Sequence, residues 1–327
     1  MKLLRFILYA LAWIAAALCA AWAIGALYFD FPKAGPFAAI LFVIALLAIV
    51  ILVRGKLLKL ATIFGAFAVV VLWWLTLKPS NDRPWQPDVA QTAWAEINGD
   101  EVTIHNVRNC DYRTATDFTP HWETRTVRLS QITGMDLAIN YWGSPWIAHP
   151  ILSFQFSDGL PLCFSIETRK TTGQQYSTLE GFYRQYTLIY VVADERDVIR
   201  LRTNYRREDV YLYHTLASPA QARERFREYI NTLNALHENP RWYNAVTSNC
   251  TTSIRAQRAV KLRAPWDWRI LLNGKADEML YQDHAIVTGG LSFTELKQRS
   301  LINERARTAD QDPHFSRDIR EGLPGSD

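Results

Sequence analysis

The chain has 327 residues and a formal net charge of +4, and 49% of its residues are hydrophobic. The apolar residues and the positive charge are concentrated near the N-terminus, a distribution that excludes a purely soluble protein. From Pro79 onward, acids and bases nearly balance, so this long C-terminal part lacks the basic excess of a nucleic-acid-binding domain. It is long enough to bury a sizeable core.

Three uncharged apolar segments lie within the first 78 residues: 6–29, 35–53 and 60–77. Each has about 18 residues or more, which is enough to cross a hydrocarbon core about 30 Å thick as a helix. The sequence therefore predicts a three-helix membrane anchor over residues 1–78. The first apolar run is longer than a signal peptide needs, and Leu18 before Cys19 does not fit a lipoprotein signal, so we expect this helix to be retained.

Lysine and arginine are distributed unevenly around these segments. The N-terminus and the second loop carry Lys2, Arg5, Arg54, Lys56 and Lys59. The first loop has only Asp30 and Lys33. Because positive residues favour the cytoplasmic side, the N-terminus is expected in the cytoplasm. Everything after Lys78 would then lie outside, which we expect to be the periplasmic side of a bacterial inner membrane.

After the anchor, the sequence becomes that of a globular protein. Residues 79–100 contain several prolines, which predicts a linker and domain entry. Alternating apolar residues predict strands at 102–107, 122–129, 135–141, 151–156, 162–166, 188–192 and 209–213. Helical spacing predicts helices at about 219–237, 249–260, 271–281 and 293–306. This order favours an α+β domain over 101–308, followed by a polar, loosely held tail over 309–327.

The chain contains no common metal or cofactor motif. Closely spaced cysteine pairs, HExxH, phosphate loops and GxSxG are all missing from the sequence, and we expect no cofactor. Cys250 has a more informative setting, because polar residues precede it and a helical run follows. Amides at a helix N-terminus favour a thiolate, which is a nucleophile if a histidine can reach it. A free cysteine is, however, more often a small buried hydrophobe.

Several long stretches of the soluble part resemble one known family. They are NVRNCDYRT, WGSPWIAHPILSFQFSDG, FSIETRK, RQYTLIYVVADERDVIRLRTNYRREDVYLY, WYNAVTSNCTTSIR and WDWRILLNG. From Asn106 to about Gly325 the chain resembles the Lnb-type N-terminal periplasmic domain, whose proteobacterial members also carry three spans. The resemblance implies a circularly permuted papain-like fold with an antiparallel sheet plus helices. This fold is akin to that of NlpC-type peptidases and lecithin–retinol acyltransferases.

The resemblance also implies a catalytic constellation. His149 in WIAHPILSF matches the family's histidine at the entrance to a strand, and Cys250 matches its cysteine at the start of a helix. A third, polar member belongs on the following strand, where Ser165 and Glu167 share a face. We favour Glu167, because a carboxylate would best orient and stabilise an imidazolium. Ser165 is the alternative.

Two further features lie near this constellation. Cys110 stands where the family usually has an aromatic residue, and Cys163 lies on the strand beside the site. An oxidising compartment could join these two cysteines, but a sequence does not fix the geometry. The arginines between 200 and 207 are expected to form a solvated face that nearby acids balance, with contact to anionic lipid headgroups as the alternative.

What the resemblance implies chemically is acyl transfer or hydrolysis through a Cys–His thioester. The favoured hypothesis is a membrane-anchored envelope enzyme acting on a lipid or lipoprotein acyl group, because related Lnb proteins are implicated in N-acylation of lipoproteins. The alternatives are an NlpC-type cell-wall peptidase or amidase and a non-catalytic envelope binding protein. The expected partners are membrane lipid, lipoprotein or peptidoglycan peptide, and not nucleic acid. A hydrophobic channel at Cys250 that opens toward the membrane would favour lipid, whereas a polar open groove would favour peptide.

Overall fold

The computed structural model describes residues 2–258, 263 and 265–325. Three helices open the chain: α1 (Lys2–Asp30), α2 (Gly35–Leu52) and α3 (Lys56–Thr76). Each is long and apolar enough to cross a membrane, so the three predicted helices are confirmed. Most of their large apolar side chains are exposed, as expected for helices whose surroundings are lipid.

The chain divides into two compact units. The first contains the three helices together with residues 176–187 and 242–245. The second contains residues 81–175, 188–241 and the chain from Val246 onward. The residues predicted to be catalytic, His149, Glu167 and Cys250, therefore all lie in the second unit.

The second unit is built on one large sheet and one small sheet. The strands are β1 (Trp94–Asn98), β2 (Glu101–Arg108), β3 (Asp111–Tyr112), β4 (Phe118–Thr119), β5 (Trp122–Arg128), β6 (Ile132–Tyr141), β7 (Ala148–Phe156), β8 (Leu162–Arg169), β9 (Thr187–Ala193) and β10 (Asp209–His214). The large sheet has the order β1-β2-β9-β8-β7-β6-β10, with β5 paired to β2, and β3 pairs with β4. All the predicted strands are confirmed, whereas β1 lies in the predicted linker.

The large sheet is mixed. Strands β6, β7 and β8 pair antiparallel, as do β6 and β10. Strand β2 instead meets β9 in a parallel bridge between Arg108 and Ala193. The expectation of an antiparallel sheet was therefore wrong at this position, and the confirmed class is α+β with a mixed sheet.

Among the described residues, one α-helix lies between β9 and β10 and six follow β10: α4 (Glu195–Arg200), then α5 (Pro219–Glu238), α6 (Cys250–Gln257), α7 (Ala276–Gln282), α8 (Phe293–Ser300), α9 (Asn303–Thr308) and α10 (Phe315–Asp318). Ser218 caps α5 as a capping box, in agreement with its predicted start. The helix predicted over 249–260 extends to Gln257 among the described residues, and 259–262 lie outside them. The helix predicted over 293–306 is broken between α8 and α9, and α7 begins only after two 3₁₀ turns.

Helices pack on both faces of the sheet at β7 and β8. Phe154 and Phe164 lie edge-on to Phe226 of α5. On the opposite face, Ile151 and Cys163 belong to a buried cluster that also contains residues of α4, α9 and α10. This follows from strand alternation, since successive residues point to opposite faces.

The C-terminal segment from Ala309, predicted to be loosely held, is part of this core. Phe315, Ile319 and Leu323 are buried, and Arg320 forms salt bridges with two buried carboxylates. The prediction was wrong because it relied on the average polarity of the segment. Three apolar residues spaced by four form a single inward face.

The prediction of a solvated face was wrong for two of the four arginines between 200 and 207, since Arg200 and Arg202 are buried, whereas Arg207 is exposed. Nearby, Arg108 and Asp197 form a buried salt bridge of 2.6 Å. Composition alone misled the prediction, because charges can be buried once they are paired and hydrogen-bonded. Cys110 and Cys163 are both free thiols, and they belong to separate buried clusters.

Candidate active site

His149 lies at the second position of β7, and its side chain is only 7% exposed. Strand register pairs Ile151 with Ser165, which brings the serine beside the imidazole. His149 Nε2 is 2.7 Å from Ser165 Oγ, and Ser165 Oγ donates to Glu167 Oε1 at 2.8 Å. Ser165 therefore contacts the ring directly, and Glu167 acts through Ser165.

A buried ionic network fixes the charge of Glu167. Arg202 Nη2 lies 3.0 Å from Glu167 Oε1, and its other terminal nitrogen is 3.3 Å from Glu208. Burial alone would raise the pKa of Glu167. The charges of Arg202 and Arg108 outweigh it and hold that pKa well below its usual range. Glu167 is therefore a carboxylate that can only accept hydrogen bonds.

This carboxylate determines the tautomer of His149. Because Ser165 donates its one proton to Glu167, it accepts from the ring, so the imidazole proton is on Nε2. Burial and the charge of Arg202 lower the pKa of His149 to about 3. The ring is consequently neutral near pH 7, and its unprotonated nitrogen is Nδ1.

Cys250 is the first residue of α6, and this helix contacts β7 and β8. Asn249 caps the helix by accepting from the Thr252 backbone N–H at 2.9 Å. Burial raises the pKa of the Cys250 thiol to about 11, although hydrogen bonds from Thr251 oppose the shift. The expected resting thiolate is therefore not what this environment favours, because burial outweighs the amides of the helix start.

Asn273 is a site residue that the sequence reasoning did not single out. Its Nδ2 donates to Cys250 Sγ at 3.4 Å, and its Oδ1 accepts from the Ala148 backbone N–H at 2.9 Å. The backbone donor fixes the amide orientation, so the NH₂ group faces the sulfur. Asn273 thereby joins Cys250 to the backbone of Ala148, whereas none of the hydrogen bonds of the described residues joins Cys250 to His149 itself. The sequence offered one indication of its role: Asn273 stands directly before a glycine in WDWRILLNG, a stretch that resembles the family.

Gly274 allows the two loops at the site to pack backbone to backbone. A Cβ at this position would overlap the Pro145 carbonyl oxygen and the Trp146 carbonyl carbon. The Gly274 N–H donates to Trp146 O at 2.9 Å, and Tyr141 Oη donates to Gly274 O at 3.0 Å. Only glycine fits this close approach without displacing a loop.

The same two loops present an apolar surface. Seven large apolar side chains on them are each at least 39% exposed: Trp142, Trp146, Ile147, Trp266, Trp268, Leu271 and Leu272. One loop leads directly into His149 and the other into Asn273. Two cations lie over tryptophan rings of this surface, Lys275 over Trp146 and Arg255 over Trp266. The surface is therefore apolar, and of the two cations beside it Lys275 is paired with Glu278 at 3.6 Å.

A cavity of about 360 Å³ lies between β9, α5 and α6. Its lining is largely polar and includes Glu228, Asn231 and Arg241. Neither Cys250 nor His149 is among the described residues that line it. Among the described part of the chain, no group of three His, Cys, Asp or Glu side chains could hold a metal ion.

Residues 118–274 match the family model described as the Lnb N-terminal periplasmic domain. His149, Ser165, Glu167, Cys250 and Asn273 all fall inside the matched segment. The resemblance inferred from the sequence is therefore confirmed over these residues. No curated protein and no solved structure shows significant similarity to the chain.

Proposed function

With residues 118–274 taken as an Lnb N-terminal periplasmic domain behind three candidate membrane helices, we propose that the protein is an envelope thiol enzyme. In this proposal it transfers or hydrolyses acyl groups through a thioester on Cys250. The supporting observation is the Asn273 side chain, which binds Cys250 Sγ and the backbone beside His149. The proposal includes a circularly permuted papain-like arrangement, in which a histidine on a strand precedes a cysteine at a helix start.

The proposed reaction starts from two neutral groups. His149 Nδ1 takes the proton from the Cys250 thiol, and the thiolate formed attacks the carbonyl carbon of the acyl donor. The tetrahedral intermediate collapses by breaking the bond to the leaving group, which takes the proton from His149, and a thioester remains. Water or an amine then loses a proton to His149 and attacks the thioester. The Cys250 thiol leaves with that proton, and an acid or an amide is released.

Asn273 and the start of α6 supply hydrogen-bond donors for the oxyanion of this intermediate. Asn273 Nδ2 already points at the sulfur, so it lies beside the carbon that the sulfur would attack. The Cys250 backbone N–H belongs to the first turn of α6 and has no carbonyl within the helix to bond. Removing one such donor costs about 10²–10³ in rate in other enzymes.

The apolar loops favour a lipid acyl group as the substrate. Trp146, Ile147, Leu271 and Leu272 precede His149 and Asn273 by one to three positions and remain exposed. A contiguous exposed apolar surface beside a reactive group is typical of a binding site for an apolar ligand. Lys275, which lies over the Trp146 ring and is 3.6 Å from Glu278, adds a paired cation at the border of this surface.

One observation favours the second candidate, a cell-wall peptidase or amidase. The cavity beside α6 has a largely polar lining with both an acid and a base, which suits the amide and charged groups of a peptide. We rank it second because Cys250 and His149 are not among its described lining residues. The exposed apolar loops instead lead directly into the site residues.

Turnover assays on the full-length protein in lipid nanodiscs test the proposal. We expect transfer or release of a radiolabelled acyl group from phospholipid, abolished by Cys250→Ala and reduced about 10²–10⁴-fold by His149→Ala. Cys19→Ala, which removes a cysteine of α1, is the matched control and should not change the rate. Cleavage of a muropeptide that depends on Cys250 would favour the second candidate. Turnover unchanged by Cys250→Ala would contradict both.

A further inference from the structure

A segment from the middle of the chain packs on the membrane helices. Residues 176–187 belong to the same compact unit as α1, α2 and α3. Tyr183 stacks on Phe29 with ring centroids 5.0 Å apart, and it is buried in a cluster with alanines of α1. A Cβ at Gly25 would overlap the Tyr183 hydroxyl. Gly25 thus leaves the space on α1 that this tyrosine occupies.

Hydrogen bonds fix the same segment at the end of α1. Asp30, the last residue of α1, accepts from the Arg184 backbone N–H at 3.1 Å and from Gln185 Nε2 at 2.7 Å. Trp74 Nε1 of α3 donates to the same carboxylate at 2.6 Å. The Arg184 guanidinium lies over the Trp74 ring, 3.8 Å from its centroid. The depth of the segment along the helices is therefore set by several independent contacts.

This depth is close to the C-terminal end of α1, a helix long and apolar enough to cross a bilayer. Gly25 precedes Asp30 by five residues, so the Tyr183 hydroxyl lies about 7.5 Å from the C-terminal end of α1 along the helix axis. Helix α1 has 29 residues and is longer than the roughly 20 residues needed to cross the hydrocarbon core. Tyrosine is common at this boundary, because its ring is apolar and its hydroxyl is polar.

The residues just before Tyr183 expose apolar side chains. Tyr176 is 43% exposed, Leu179 58% and Phe182 39%. We propose that residues 176–182 lie in the membrane interface and contact phospholipid directly, with Leu179 and Phe182 entering the headgroup–acyl boundary. Lipid is the occupant that this position supports, because the surface is continuous with helices whose own apolar side chains require lipid.

Photo-cross-linking of the full-length protein in cell membranes tests this assignment. Leu179 is replaced by p-benzoylphenylalanine, and the adducts are identified by mass spectrometry. Val69, which is 68% exposed on α3, serves as the positive control. Leu160, which is 48% exposed in the turn between β7 and β8, is the exposure-matched control in the other unit.

We expect phospholipid adducts at positions 179 and 69 and at least fivefold fewer at position 160. An adduct at position 179 with another protein, or with a second copy of this chain, would overturn the assignment. Equal lipid labelling at 179 and 160 would do the same, and so would a lack of labelling at 179 while position 69 is labelled. None of these outcomes depends on whether the protein is an enzyme.

Discussion

His149 carries its proton on Nε2, because Ser165 commits its own proton to the ionised Glu167. The sequence predicted that Ser165 and Glu167 share a face, since they are two residues apart on a strand. It did not predict which of them contacts the ring, because that depends on the register pairing Ile151 with Ser165. Asn273 was missed for a similar reason, since only folding brings it to Cys250.

The protonation state of Cys250 is a testable consequence of its burial. With its pKa raised to about 11 and that of His149 lowered to about 3, both groups are neutral across the pH range between these values. The 240 nm absorbance of the wild type minus that of Cys250→Ser should therefore stay flat from pH 5 to pH 8 and rise only above it. A thiolate signal already present at pH 6 would instead indicate a resting thiolate–imidazolium pair.

At the scale of elements, periodicity predicted most strands and the start of α5, because alternation and capping are local properties of the sequence. The C-terminal segment was mispredicted although Phe315, Ile319 and Leu323 have helical spacing. Its polar residues include Arg320, which is 2.8 Å from Asp136 and 2.6 Å from Glu195. Such pairs join residues distant in the chain and cannot be derived from local pattern.

The close packing of the two site loops leads to a second prediction. In Gly274→Ala, the added Cβ overlaps the backbone at Pro145 and Trp146, so the loop that carries Asn273 must shift. We expect acylation of Cys250 to fall by about 10² or more, as for loss of an oxyanion donor. Alkylation of Cys250 by iodoacetamide needs no such donor and should change little.

The matched control for this variant is Gly159→Ala in the turn between β7 and β8. No atom lies within 4 Å of a Cβ there, although the positive φ makes the substitution mildly strained. It should leave acylation close to the wild-type rate. Equal loss of acylation in both variants would indicate a general effect on folding rather than a specific effect on Asn273.

At the scale of the whole molecule, composition predicted the membrane anchor and the balanced charge of the remainder. The three helices and the match to a periplasmic domain agree with that division. The sequence did not predict that residues 176–187 and 242–245 belong to the same unit as the membrane helices. These segments are short, and their packing partners in the membrane helices are more than 100 residues distant in the chain.

The orientation in the membrane is a prediction at this scale. Arg54, Lys56 and Lys59 should keep the second loop in the cytoplasm, because positive loops resist translocation. A reporter fused after Asp82 should therefore behave as periplasmic, and one fused at Gly55 as cytoplasmic. Replacing all three basic residues by glutamine should weaken the preference. A cytoplasmic signal at Asp82 in the wild type would reverse the orientation and remove the argument for an extracytoplasmic substrate.

The most direct test of the central claim is mass spectrometry of the Cys250 peptide after incubation of the full-length protein with phospholipid. We predict an added mass equal to one acyl chain on Cys250, released by neutral hydroxylamine as expected for a thioester. The adduct should be strongly reduced in His149→Ala and unchanged in Cys19→Ala. An unmodified Cys250 peptide under conditions of turnover, or an adduct that forms equally well in His149→Ala, would contradict the proposed Cys–His mechanism.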